Sequence, residues 1–217
     1  MTLNNTHQYK MEKGRQLTTK EAIEKRRSIR KFKPETIPDK VISALLESAR
    51  LAPSGCNAQP WRFKIVKDYA IKKQLQTIAY NQTFITEAPV VLVVCADIEG
   101  YIEGRTSGVQ DLGEIGVFND EICEILNRKT KIKSQMSIKN LSLSVAFNVA
   151  IAIEHIVLRA QDFGLGTCWM RLIDAKAIQQ LFNWKEKIYP VALLPIGYPN
   201  ESPPPRKRRT LEEIIID

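Results

Sequence analysis

From Pro38 to Leu51 apolar residues fall at Val41, Ile42, Leu45, Leu46 and Ala49, the spacing of one helix face. Pro38 opens this pattern and Pro53 stands just beyond it, so an amphipathic helix with defined ends is predicted. Upstream, Thr18 with Glu21 three residues later has the form of a capping box and predicts a short helix ending near Arg27. The longest helical pattern runs from Ser137 to Phe163, with Leu141, Val145, Val149, Ala152, Ile153, Ile156 and Ala160 on one side and apolar residues over much of the rest. Apolar nearly all round, it predicts a central buried helix. Ser144, Asn148, Glu154 and His155 interrupt it too often for a membrane span. DFGLG, residues 162–166, then supplies a glycine stop. Two further helices are expected, over 68–80 and 174–182.

Three apolar runs bounded by Pro, Gly or charge read as buried strands: RFKIV (62–66), PVVLVVCAD (89–97) and YPVALLPIGY (189–198). Strands separated by helices predict an α+β or α/β domain. A chain of 217 residues suits one such domain, here 18–217 preceded by a polar arm at 1–17, loose or packed on a partner. Residues 98–136, with mixed charge and glycines at 100, 104, 108, 113 and 116, are expected to form an irregular insert ending in a helix around Asp120–Arg128. Such an insert suits a lid or a plain surface excursion.

The formal net charge of +8 calls for an anionic partner, and charge alone does not choose among nucleic acid, membrane and a phosphorylated small molecule. The basic residues sit in three separate clusters, at 24–33, 127–133 and 203–209, with no alternation of basic and aromatic residues linking them, which disfavours a nucleic-acid platform. Cys56, Cys95, Cys123 and Cys168 make neither a CxxC nor a zinc-ligand spacing, and with no signal sequence evident we expect reduced thiols in a cytoplasmic protein. The only histidines are His7 and His155, which gives a His-based triad or a metal site little support. Chemistry here is expected to belong to a cofactor.

Four stretches offer one. RRSIRKF places Arg26, Arg27, Ser28 and Arg30 where a helix gives way to a β-favouring segment, and these groups suit either a phosphate or a solvated basic helix end. APSGCNAQPWRF crowds Ser54, Asn57 and Gln59 between a helix end and a buried strand. Their amides and hydroxyl can satisfy the turn itself, with Gln59 held extended by Pro60, or can address the edge of a planar heterocycle. Trp61 reads as core, and Cys56 as a small buried filler. GLGTCWMRL (164–172) has glycines that let backbone approach a ligand, or simply end a helix before a short strand. PPPRKRRTLEEI carries Arg206 and Arg208 in a basic cluster that suits a nuclear-localisation or disordered tail, but against disorder Leu211, Ile214, Ile215 and Ile216 look built to pack and so to fix the arginines.

In this order the four motifs closely resemble the FMN-dependent nitroreductase family, from about residue 20 to the C-terminus, most strongly at 26–66 and 150–170 and faintly across 98–136. The resemblance implies an α+β fold with a central, mostly antiparallel sheet flanked by helices. It also implies an intertwined homodimer with FMN at the subunit interface, reduced by NADPH or NADH. Arg26, Arg27, Ser28, Arg30, Arg206 and Arg208 would hold the phosphate and ribityl chain. The loop carrying Pro53, Ser54, Asn57 and Gln59 would reach the flavin ring from the partner. Backbone from Gly166 and Thr167 to Arg171 would line the ring's other side near N5.

The implied mechanism is ping-pong, with nicotinamide and an oxidised acceptor, such as a nitroaromatic or quinone, using one site in turn. Cations near the flavin would stabilise its reduced anion, and no catalytic side-chain acid or base is expected. Many relatives have Gly-Gly or Glu-Gly where this chain has Arg171-Leu172, so Arg171 is expected to bias the site toward anionic acceptors or a phosphorylated nicotinamide. The competing readings are a specialised flavoenzyme of the same fold, performing reductive dehalogenation or flavin-consuming chemistry, and a non-enzymatic basic protein that binds flavin or nucleic acid.

Overall fold

A computed structural model of the chain describes residues 17–216, so the expected arm, apart from Leu17, lies outside the described residues. Four strands, β1 (Trp61–Val66), β2 (Val90–Asp97), β3 (Gly166–Thr167) and β4 (Ile188–Gly197), form one antiparallel sheet in the order β1-β2-β4-β3. β2 alternates between two cores. Val90, Leu92, Val94 and Ala96 join a cluster with α2 (Asp39–Arg50) and α7 (Ile138–Asp162). Val91, Val93 and Cys95 join another with α3 (Tyr69–Ile78), α4 (Phe84–Glu87) and α8 (Ala175–Leu181). Helices therefore cover both faces of an antiparallel sheet, which is why β2 reads as a continuous apolar run without polar alternation.

The expected helix ends are realised by the expected groups. At α1 (Thr19–Lys25), Thr18 Oγ1 accepts from the Glu21 amide at 3.2 Å while Glu21 Oε2 accepts from the Thr18 amide at 2.8 Å. At the far end of α7, Gly164 has φ +65°, Leu165 N donates to Ala160 O at 3.0 Å and Gly164 N to Gln161 O at 3.1 Å, a Schellman closure that turns the chain into β3.

Segment 98–136 departs from expectation, being two helices, α5 (Ile98–Glu114) and α6 (Asp120–Ser134), capped by Asp97 and Asn119. Glycine disfavours an isolated helix by about 1 kcal/mol per residue, but Gly100, Gly104 and Gly108 recur every fourth residue and so share one face. That face meets backbone: a Cβ on Gly104 would lie 2.4 Å from Ala58 O, and one on Gly108 would lie 1.7 Å from Cys56 O. Close packing on the 55–58 segment keeps α5 helical where local propensity argues against it.

Two further expectations need correction. α7 is buried on one side only, because Leu143, Phe147 and Ile151 stand 65%, 76% and 40% exposed along its other face. By length and composition this helix could cross a membrane, yet its inner residues Val145, Val149, Ala152 and Ile156 pack in the core with α2 and the sheet. In the tail, Leu211, Ile214, Ile215 and Ile216 are exposed, so nothing among the described residues buries them.

Candidate functional site

The segment after α1 is clamped between β3 and the chain leaving β4. Ser28 bridges Thr167, Ile29 N donates to Thr167 O at 2.9 Å, Phe32 bridges Pro199, and Lys33 N donates to Tyr198 O at 2.9 Å. Gly166 has to be glycine for this approach, since a Cβ there would lie 2.4 Å from Ile29 Cγ1. Glu201 completes the clamp by accepting from the backbone amides of Arg30 and Lys31. The chain then runs through Pro203, Pro204 and Pro205, which bring Arg206 and Arg208 back beside α1.

The result is a cleft of about 530 Å³ whose lining includes Arg26, Arg27, Ser28, Arg30, Arg206 and Arg208. Among the described residues, none of these five arginines is ion-paired with a carboxylate. Arg27 Nη1 instead donates to the carbonyls of Glu24 and Arg26 at 2.7 and 2.8 Å, which fixes its direction without neutralising it. Five converging cations outnumber Glu24, the one carboxylate in the lining, and a multiply charged phosphate bound through arginine forks would balance the excess. The sixth group, Ser28, adds a hydroxyl. Nearby on α7, burial pushes the half-buried Glu154 carboxyl up, while Arg26 and His155 pull it down.

Gly166 and Thr167 are buried beneath the 28–30 segment, so they support the cleft from below. Burial likewise raises the neighbouring Cys168 thiol, against a lowering by Arg30. Trp169 Nε1 is buried without a hydrogen-bond partner among the described residues. Arg171 is exposed beyond β3 and does not line the cleft.

The loop between α2 and β1 forms a second, separate group. Its polar side chains bond within the turn: Ser54 Oγ accepts from Gln59 N at 3.0 Å, and Gln59 Nε2 donates to Asn57 Oδ1 at 3.1 Å. Cys56, Asn57 and Gln59 have φ of 53°, 50° and 46°, so Gln59 is left-handed, not extended as its proline neighbour implied. Its bonds to Ser54 and Asn57 outweigh the local preference. Such backbone costs of order 1–3 kcal/mol per residue and persists only where surroundings impose it. Asn148 of α7 accepts from Gly55 N at 2.8 Å, and α5 presses on Cys56 and Ala58 from the other side. Cys56 is half-buried in this loop and not a core filler, whereas Trp61 is core, 7% exposed. None of Pro53, Ser54, Asn57 or Gln59 lines the arginine cleft of its own chain.

Sequence reasoning missed three supporting groups. Asn148 was legible as a polar residue inside an apolar helix, and Gly104 with Gly108 through their spacing. Glu201 carried no local signal, because its partners are 170 and 171 residues away.

A family model described as the nitroreductase family matches residues 23–198. The chain belongs to the nitroreductase family. It is 30% identical over 200 residues to a Thermus thermophilus protein named NADH dehydrogenase, covering 92% of this chain and 96% of the relative. It is 27% identical over 194 residues to an iodotyrosine deiodinase of Thermotoga neapolitana, covering 88% and 92%. The fold is shared with an Exiguobacterium sibiricum protein whose crystal structure holds FMN, with TM-score 0.75 and 24% identity, covering 92% of this chain and 97% of that one. Within this nitroreductase-family chain, the motifs at 26–30, 164–168 and 206–208 are spatial neighbours, while the loop at 53–59 stands apart.

Proposed function

We propose that the chain is an FMN-dependent NAD(P)H oxidoreductase, working as a cytoplasmic homodimer on nitroaromatic, quinone or related acceptors. The observation that carries this reading is the cleft of five arginines, none of them ion-paired with a carboxylate among the described residues. Its charge and its Ser28 hydroxyl suit the phosphate end of FMN. When bound, FMN would accept reducing equivalents from NAD(P)H and pass them to the acceptor in two half-reactions.

The protein's share is binding and orientation. Arg26, Arg27, Ser28, Arg30, Arg206 and Arg208 would hold the phosphate and ribityl end, and backbone at Gly166 and Thr167 would support it. The rigid loop with Pro53, Ser54, Asn57 and Gln59 would address the ring of a cofactor held by the other subunit, which agrees with its separation from its own chain's cleft. Arg171, exposed beyond β3, would add positive charge near the acceptor.

A second chain also explains the uncovered apolar surface. Leu143, Phe147 and Ile151 make a stripe at i, i+4 and i+8 on α7, and Leu211 with Ile214–Ile216 end an arm left exposed among the described residues. Packing α7 against its copy and wrapping each tail over the partner would bury both.

An absorbance spectrum of the purified protein tests the reading. Flavin bands that bleach anaerobically on adding NADPH or NADH support it, whereas a colourless protein that takes up no FMN on reconstitution overturns it. Similarity to the deiodinase favours one alternative on the same site, reductive dehalogenation, which turnover of a halotyrosine would reveal.

A further inference from the structure

Arg105 on α5 is 7% exposed, and no carboxylate lies within ion-pairing distance of it among the described residues. Its Nε donates to Thr130 Oγ1 of α6 at 3.2 Å, and its guanidinium lies over the Tyr101 ring at 5.6 Å. Thr130 is itself buried, its hydroxyl donating to Leu126 O at 2.9 Å. The other end of the guanidinium points at the cofactor loop. A Cβ built on Gly55 would lie 3.7 Å from Arg105 Nη1 and 3.7 Å from Asn148 Oδ1. Arg105 and Asn148 thus back Gly55 together, while Gly55 itself is exposed.

A buried guanidinium without a counter-ion is costly, and a neutral side chain of similar volume would avoid that cost. These contacts do not require the charge, since a neutral donor would serve the Thr130 bond and the glycine face of α5 already fixes the helix on the loop. The guanidinium's single distinguishing property here is a positive charge placed one backbone thickness behind the exposed surface of loop 54–59.

We propose that Arg105 is a positioning residue acting through this loop, its buried charge favouring the reduced, anionic form of the bound flavin over the oxidised form. The inference rests on the FMN reading above. It adds a contribution from the α5–α6 segment. One unit charge acting through the loop over roughly 12 Å at an effective dielectric near 20 corresponds to about 1.4 kcal/mol, roughly a tenfold preference.

The test uses the full-length holoenzyme with Arg105→Met, Arg105→Gln and Arg105→Lys. The readouts are the flavin midpoint potential against an indicator dye and the dissociation constants of oxidised and reduced FMN. Arg105→Met is expected to weaken binding of reduced FMN about tenfold relative to oxidised FMN, lowering the midpoint potential by about 30 mV for two electrons. Arg105→Lys is expected to restore most of that potential. If the Met variant does not fold, Arg105→Gln, which keeps a donor for Thr130, serves the same comparison. A neutral variant that binds FMN at the wild-type potential overturns the proposal, as does a Lys variant shifted as far as the neutral ones, because geometry and not charge would then be responsible. Wild-type protein that takes up no FMN overturns the cofactor reading and this proposal together; wild-type protein that does, beside unshifted variants, overturns only the proposal.

Discussion

Replacing Gly108 by alanine should separate α5 from the cofactor loop. The added Cβ would lie 1.7 Å from Cys56 O and 2.8 Å from Cys56 C, so it meets backbone and not the movable end of a side chain. Restoring ordinary contact requires a shift of roughly 1.5 Å. The loop resists it, because Cys56 and Asn57 are already left-handed and Asn148 holds Gly55 from the opposite side. Overpacking typically costs about 1–3 kcal/mol, and more against rigid backbone. The better helix propensity of alanine returns about 1 kcal/mol. With the backbone contact putting the cost at about 3 kcal/mol, a net loss of about 2 kcal/mol is expected, lowering the melting temperature by roughly 4–8 °C in a chain of this size. Thermal melting by circular dichroism reads the stability and fluorescence titration with FMN reads the loop. Gly113→Ala is the control, since its Cβ would meet only Cys123 Sγ, at 3.0 Å. If Gly108→Ala melts at or above the wild-type temperature and binds FMN equally well, the account of α5 as the loop's clamp is wrong.

Arg26→Ala and Arg208→Ala should each weaken FMN binding by roughly tenfold or more, as expected for loss of a charge-assisted hydrogen bond, with less effect on melting of the FMN-free protein. Phe147→Glu places a charge in the middle of the exposed α7 stripe and should turn a dimer into a monomer by sedimentation velocity, with loss of FMN; an unchanged dimer would place the interface elsewhere. Burial pushes the Cys95 thiol up to about 12 from an ordinary value of 9.0. The folded value is the higher one, so this contribution to stability is fully present below pH 9.0 and is lost as pH rises toward 12. Denaturant unfolding of wild type and Cys95→Ala across that range should show the wild type losing about 1.4 kcal/mol more per pH unit; parallel curves would refute it.

Elements whose signals are local could be read from the residues alone. The capping box at Thr18, the apolar face from Val41 to Ala49, the three buried strands and the glycine stop at 164 each rest on residues a few positions apart, and each forms near its expected bounds. The arginine cluster was legible for the same reason, as Arg26, Arg27, Ser28 and Arg30 lie within five residues. Features that depend on distant partners emerge only once the chain is folded. Gly104 and Gly108 look like helix breakers until α5 is laid on Cys56 and Ala58, and then they are what allows the contact. Gln59 becomes left-handed because a serine five residues back accepts its amide, and Arg30 is positioned by a carboxylate 171 residues along the chain. Apolar pattern alone marked α7 and the tail as packed surfaces, but it could not say against what. Burial is a property of an assembled interface, and one chain leaves Phe147 and Ile216 facing outward.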